Sequence, residues 1–218
     1  MRLVKPSYKI EKIMADDHSL LIIERAGRTC YKSEDMIFDD TAIKFAKMIM
    51  ASKHESVIEH SAMTVRFICN RGFTHELVRH RLASYSQEST RYCNYKGGVT
   101  FIIPPWCSNL DPGDYNEPIR DNLTTYDERV WQKHMLDCES TYIHLLNACG
   151  WSPQQARGVL PIDIKTEIVM TTNFREWRHI FKLRTAKAAH PQMRELMIPL
   201  LNECKTLIPV IFDDINYE

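Results

Sequence analysis

Met63, Val65, Phe67 and Cys69 are apolar at alternate positions, with Thr64 and Arg66 between them. That period of two predicts a half-buried strand, which Gly72 ends. Residues 166–170 predict a second strand. Residues 19–24, Ser-Leu-Leu-Ile-Ile-Glu, predict a short strand or another buried element. Elsewhere the period is helical. Asp39-Asp40-Thr41 offers N-caps for a helix to about Ser52, with Ile43, Ala46 and Met50 on its buried side. A long helix over 121–149 places Val130, His134, Cys138, Tyr142 and Leu145 on one stripe, and Gly150 stops it. Asn173 caps a helix to about Ala189, and a last helix runs from Pro191 toward Leu207. Leu77 and Leu82 predict a helix carrying Arg79 and His80. It gives way to irregular backbone over 84–89, where hydroxyls compete for main-chain bonds. Pro104-Pro105 and the run 109–114 predict a polar loop, either a connector or a lid.

These elements predict an α+β fold without the regular alternation of a doubly wound sheet. No internal repeat or linker interrupts it, so residues 1–218 are expected to form a single domain. A chain of 218 residues with 44% apolar content can bury a sizeable core. The 28 basic and 28 acidic residues cancel, which argues against bulk attraction to nucleic acid or to an anionic membrane. No apolar run is long enough for a membrane span, and the N-terminus lacks a signal-peptide core. The seven cysteines are scattered without a Cys-x-x-Cys pair, as expected for reduced thiols in a cytoplasmic protein.

Neutral overall, the chain still concentrates donors in one place. Residues 79–92 hold Arg79, His80, Arg81, Ser84, Ser86, Ser89 and Arg91. Guanidinium groups suit phosphate, and hydroxyls complete an oxyanion's hydrogen bonds. Arg79 and Arg81 cannot share a helical face, so two anions or one wrapped group suit them. Ser89 and Arg91 are candidates to cradle a phosphate. Ser89 is not a candidate nucleophile, because no Gly-x-Ser-x-Gly elbow surrounds it. His54 and His60 lack the i, i+4 spacing of a His-Glu-x-x-His zinc site, so no metal is expected; His60 is expected to be packed or capping. Neither Gly-x-Gly-x-x-Gly nor a Walker A run occurs, so a nucleotide must be held by side chains and helix ends. Asn173, Arg175 and His179 sit at the start of one helix, whose N-terminus favours anions.

Arg-His-Arg, seven residues, Ser89, then Thr90-Arg91-Tyr92 resembles the signature of the flavin-dependent thymidylate synthases. The segments 54–60, 156–161, 172–175, 183–184 and 28–31 match that family in order and spacing, covering most of the chain. The resemblance implies an α+β fold with an antiparallel-rich sheet, assembled as a homotetramer with its FAD and nucleotide sites between subunits. It implies conversion of dUMP to dTMP with 5,10-methylenetetrahydrofolate as carbon donor and NADPH as reductant through FAD. It assigns His54, Ser56, Arg79, His80, Arg81, Gln87, Asn173, Arg175 and His179 to FAD. It assigns Glu76, Leu77, Val78, Arg79, Gln87, Glu88, Ser89, Thr90, Arg91, Arg157 and Arg184 to dUMP. Arg184 is the catalytic residue by this likeness: it faces the uracil and favours ionisation at N3. Cys30 stands where relatives can carry serine and is expected to be a small packed residue, so no cysteine attacks the pyrimidine. His179, His190 and Gln192 depart from commoner residues of the family. The alternatives are another flavin enzyme acting on a different nucleotide and a catalytically silent nucleotide-binding protein.

Overall fold

The computed structural model describes residues 1–13 and 17–217. Its strands are β1 Arg2–Val4, β2 Ser7–Ile13, β3 Ala62–Asn70, β4 Ala83–Gln87, β5 Thr100–Ile102, β6 Gly113–Asp114 and β7 Lys165–Asn173. Its helices are α1 Asp17–Thr29, α2 Thr41–Ala51, α3 Arg71–Leu77, α4 Tyr126–Asn147, α5 Pro153–Ala156, α6 Phe174–Arg184, α7 Pro191–Leu207 and α8 Pro209–Phe212. One sheet has the order β5-β1-β6 and the other β2-β3-β7-β4, giving a mixed α+β architecture with antiparallel-rich sheets. No helix among the described residues is long and apolar enough to cross a membrane.

The chain divides into two compact units. The first comprises Met1–Ser7, Phe67–Val78 and Ser86–Ile168. Here β1 pairs parallel with β5 and antiparallel with β6, with Leu3 opposite Phe101. Leu3, Phe101, Met135, Tyr142 and Ile164 share one core, each buried. Helix α4 starts at Tyr126, later than expected, because Thr125 and Glu128 form a capping box. Its buried stripe is Glu128, Gln132, Met135, Glu139 and Tyr142; the expected Val130 and His134 face solvent. The polar members have a structural reason. Glu128 accepts from Asn109 N at 2.9 Å, Gln132 from Ile119 N at 2.7 Å and Glu139 from Val99 N at 2.7 Å. Loop N–H groups buried without such partners would be costly. The polar loop after Pro104 is pinned by Cys107 and Leu110, which join the same core.

The second unit comprises Tyr8–Arg66, Arg79–Tyr85 and Val169–Glu218. Residues 19–24, expected to be a short strand or another buried element, are a buried part of α1, with Leu20, Ile23 and Glu24 buried at helical spacing. In α2, Ala46 is buried as expected and Ile43 is exposed. Strand β3 alternates as its sequence predicts, and Met63, Val65, Phe67 and Cys69 are buried. Helix α6 ends at Arg184, five residues short of Ala189, with Thr185 as its C-cap. Phe174, Trp177, Ile180 and Phe181 bury one face of it, and Trp177 stacks on Phe181 at 5.5 Å. Each such side chain stabilises the fold by about 1.5–3 kcal/mol. The buried face directs Arg175, His179 and Lys182 outward. On the inner side Arg178 is buried and holds Asp214 with two hydrogen bonds of 2.6 and 2.7 Å. It also donates to Ile211 O and lies 3.4 Å from Glu55.

Candidate active site

In the first unit, the end of β3 sets up the nucleotide segment. Asn70 caps α3 by accepting from Phe73 N at 2.9 Å and donates to Asp163 at 2.7 Å. Helix α3 stops at Leu77, so Arg79, on the following turn, and His80 after it lie off any helix, where the chain passes into the second unit. Of the stretch 84–89 expected to be irregular, residues 84–87 belong to β4, whose side chains alternate between half-buried and exposed. Gln87 Nε2 then reaches Thr74 Oγ1 at 3.1 Å and Thr166 Oγ1 at 3.3 Å.

Glu88 is tied down at every group. Its N–H donates to Glu167 O at 2.9 Å, and its carbonyl accepts from Arg71 at 3.0 Å. Its carboxylate accepts from Tyr95 at 2.7 Å and from Lys165 at 3.1 Å. Burial alone would lower the Lys165 pKa, but Glu167 and Glu88 hold its ammonium above the ordinary lysine value. Glu88 therefore anchors the turn that follows it. In that turn the N–H groups of Tyr92 and Cys93 both donate to Ser89 O, and Arg91 N donates to Ser89 Oγ at 3.3 Å. Arg157 Nη1 lies 3.4 Å from Thr90 Oγ1. The structure thus brings Arg157 to the turn that carries Ser89, Thr90 and Arg91, while the Arg91 guanidinium lies over the Tyr92 ring at 5.3 Å; both guanidinium groups are exposed. Two cations and two hydroxyls in this arrangement can seat a phosphate. Leu77 is fully buried, so only its main chain can meet a ligand; Val78 is exposed and Glu76 half-buried.

In the second unit, the start of α6 gathers Asn173, Arg175 and His179, with His80 beside them, four of the nine residues assigned to FAD. Asn173 caps the helix, accepting from Glu176 N at 2.9 Å. Arg175 and His179 line one cleft of about 490 Å³ with Lys182, Glu55 and Glu59. Arg175 pairs with Glu59 at 2.5 Å. His80 is buried behind this helix. Arg184 Nε donates to His80 Nε2 at 3.0 Å, and His80 Nδ1 lies 3.3 Å from Glu176 Oε1. The His179 ring meets the His80 ring edge-on at 5.8 Å. Burial, the Arg184 charge and His179 together push the His80 pKa down to about 4. The ring is therefore neutral at ordinary pH, and its contact with Glu176 is that of a neutral imidazole with a carboxyl group. Burial raises the Glu176 pKa, while His179 draws it down.

Other expected residues stand apart. His54 and Ser56 are exposed, and His54 lines a separate cleft of about 550 Å³ with Arg28, Tyr31 and Met36. Arg79 and Arg81 are exposed on the turn before β4. Cys30, expected to be packed, is exposed, and so is His60 at the end of a 3-10 turn over Glu55–His60. Their hydrophobic neighbours Ala26 and Ile58 occupy the inward positions instead. His80, Glu176 and His179 place three potential ligand atoms within 4.8 Å of one another. Accepting from Arg184 uses the lone pair of the neutral His80 ring, so Nδ1 carries the proton and cannot also ligate a cation. Glu176, Lys165 and Tyr95 were not singled out by sequence. A glutamate three residues beyond an Asn cap reads as ordinary capping chemistry, and only the fold shows where its carboxyl group goes.

The family model described as "Thymidylate synthase complementing protein" matches residues 12–210. The chain is 33% identical over 186 residues to the flavin-dependent thymidylate synthase of Pyrococcus furiosus, covering 84% of this chain and 70% of that one. It is 32% identical over 197 residues to the enzyme of the same name from Geobacter sulfurreducens, covering 87% and 78%. Among solved structures, a UMP/dUMP methylase, PolB, from Streptomyces cacaoi bound with 5-Br dUMP superposes with a TM-score of 0.77. That pair is 23% identical and covers 98% and 96% of the two chains, which shows a shared fold. With the matching motifs in register over most of its length, this chain belongs to the family of flavin-dependent thymidylate synthases.

Proposed function

We propose that this chain converts dUMP to dTMP, with 5,10-methylenetetrahydrofolate as carbon donor and NADPH as reductant through FAD. The observation that carries the proposal is the phosphate seat, in which Arg157 closes on the Ser89–Thr90–Arg91 turn. Ser89, Arg91 and Arg157 bind the dUMP phosphate. Glu76, Leu77, Val78, Gln87 and Thr90 border the nucleotide, and Glu88 holds their turn in place. Arg184, with Arg79, meets the uracil. A guanidinium beside the ring stabilises the negative charge that develops as N3 ionises, which makes carbon 5 nucleophilic.

FAD fits the donor chemistry at the start of α6. Arg175 and Lys182 offer cationic donors suited to a pyrophosphate, His179 offers a ring N–H, and Glu55 and Glu59 offer acceptors suited to hydroxyls. Asn173, His80, Gln87, Arg79, Arg81, His54 and Ser56 complete the set that would hold it. Bound there, FAD supplies hydride chemistry that no side chain of this chain can supply. The active unit is a homotetramer, because His54 and Arg175 border different clefts and a neighbouring subunit can complete each one. Tyr31, Phe38, Leu123 and Tyr126, all well exposed, are surfaces such neighbours would cover. The span 1–218 acts as one functional domain.

No cysteine attacks the pyrimidine. Burial pushes the Cys107 thiol up to about 11 and the Cys204 thiol up to about 12, and raises Cys69 as well. Thiols held protonated are poor nucleophiles. The test is dTMP formation by purified flavin-loaded protein with dUMP, the folate and NADPH. Tetrahydrofolate is the expected folate product, because the folate gives carbon only. UMP is the competing substrate to include, since the solved relative is titled a UMP/dUMP methylase. Flavin oxidation without dTMP would sink the proposal, and methylation of UMP in place of dUMP would redirect it.

A further inference from the structure

Arg184 does not end its polar contacts at the substrate side. Its Nε donates to His80 Nε2 at 3.0 Å. A guanidinium has no acceptor, so this bond requires a lone pair on Nε2. A neutral imidazole has one N–H, which must then sit on Nδ1. Nδ1 lies 3.3 Å from Glu176 Oε1, on a side chain that is 10% exposed. We infer that Glu176 is a positioning residue for the reaction: its carboxyl group holds His80 in the Nδ1–H tautomer, and the ring's Nε2 lone pair in turn orients the Arg184 guanidinium. The inference rests on the proposed role of Arg184 at the uracil.

Each link has a structural support. Glu176 is fixed at the first turn of α6, where its N–H donates to the Asn173 cap. His80 is held through its main chain, since Tyr85 Oη donates to His80 O at 2.7 Å. Arg184 closes the same helix at its last residue. Because Nε is the stem nitrogen, the His80 bond sets the plane of the guanidinium fork. The groups facing His80 are Glu176, His179 and Arg184 from α6 and Tyr85 from β4. Burial and the neighbouring Arg184 and His179 keep the ring uncharged, as the relay needs.

The test compares Glu176→Ala and Glu176→Gln in the flavin-loaded enzyme. Nitrogen-15 NMR of the histidine side chains reads the His80 tautomer, with His80→Gln assigning the signal. Glu176→Ala is expected to shift His80 toward the Nε2–H form and to lower kcat about tenfold at unchanged KM for dUMP. Glu176→Gln keeps an acceptor toward Nδ1, and is expected to retain the tautomer and most of kcat. In an Arg184→Ala background, Glu176→Ala should add no further loss. An unchanged tautomer in Glu176→Ala overturns the inference. So does loss of flavin in place of turnover, which would make Glu176 a cofactor contact. If Arg184→Ala alone turns over normally while the tautomer still shifts, the proposed role of Arg184 fails and the relay to its guanidinium stands as structural only.

Discussion

Lowering the pH should destabilise this fold through His80 more than through any ordinary surface histidine. A free histidine titrates near 6.5, and the surroundings of His80 push it down to about 4. The unfolded chain therefore takes up a proton near pH 6.5, while the folded chain resists until about pH 4. The sign follows from linkage: the unfolded state binds more protons across that window, so stability falls as pH falls. Above the upper limit both states are neutral at this site, and below the lower limit both are charged. The drop from 6.5 to about 4, at about 1.4 kcal/mol for each tenfold change in proton affinity, gives on the order of 3 kcal/mol. That is a large share of the roughly 5–15 kcal/mol that keeps a domain folded. The assay is urea unfolding followed by circular dichroism, repeated through the window at fixed protein concentration, for the wild type and His80→Gln. The variant starts less stable because it loses the Arg184 and Glu176 contacts, but its stability should fall less steeply with acid. Carboxylates away from His80 contribute equally to both proteins and drop out of the difference; Glu176, which faces His80, does not. Parallel losses in the two proteins would refute the reasoning.

Arg91→Ala and Arg157→Ala should mainly raise KM for dUMP, by about 2 kcal/mol of lost charged hydrogen bonding, because phosphate contacts act equally in ground and transition states. Arg184→Ala should lower kcat even at saturating dUMP with flavin retained, and normal turnover under those conditions would remove Arg184 from catalysis. Arg175→Ala should lose FAD, read as the flavin absorbance of the purified protein. Single Cys→Ala variants at all seven positions should keep turnover apart from stability losses, and a covalent adduct between any cysteine and the pyrimidine would overturn the mechanism.

Much of the scaffold was legible from periodicity. The alternation around Met63 marked β3, and Asn173 and Pro191 marked the starts of α6 and α7. What failed had specific causes. The run 19–24 is apolar without a diagnostic period, and neighbours packed along α1 decide it as helix. The stripe on α4 was assigned by apolarity, whereas the buried face uses Glu128, Gln132 and Glu139 to satisfy loop amides. Ser89 and Arg91 are phosphate candidates on arginine and hydroxyl chemistry that shows in the letters, whereas Arg157 is one only through the family resemblance. Glu176 was not, because its importance lies in a contact to His80 from far along the chain.

The clamp between Arg178 and Asp214 also bears on how the enzyme is made. Arg178 lies inside the helix that carries Arg175, His179 and Arg184, and Asp214 follows it by 36 residues. At about 5–20 residues per second, a ribosome needs roughly two to seven seconds to add that interval. Until then the guanidinium has Glu55 but lacks its bidentate partner, so burying it is unfavourable. Helix α6 therefore cannot settle into its final packing while the chain is still short of Asp214. Synthesis order places α6 among the last parts of the molecule to mature.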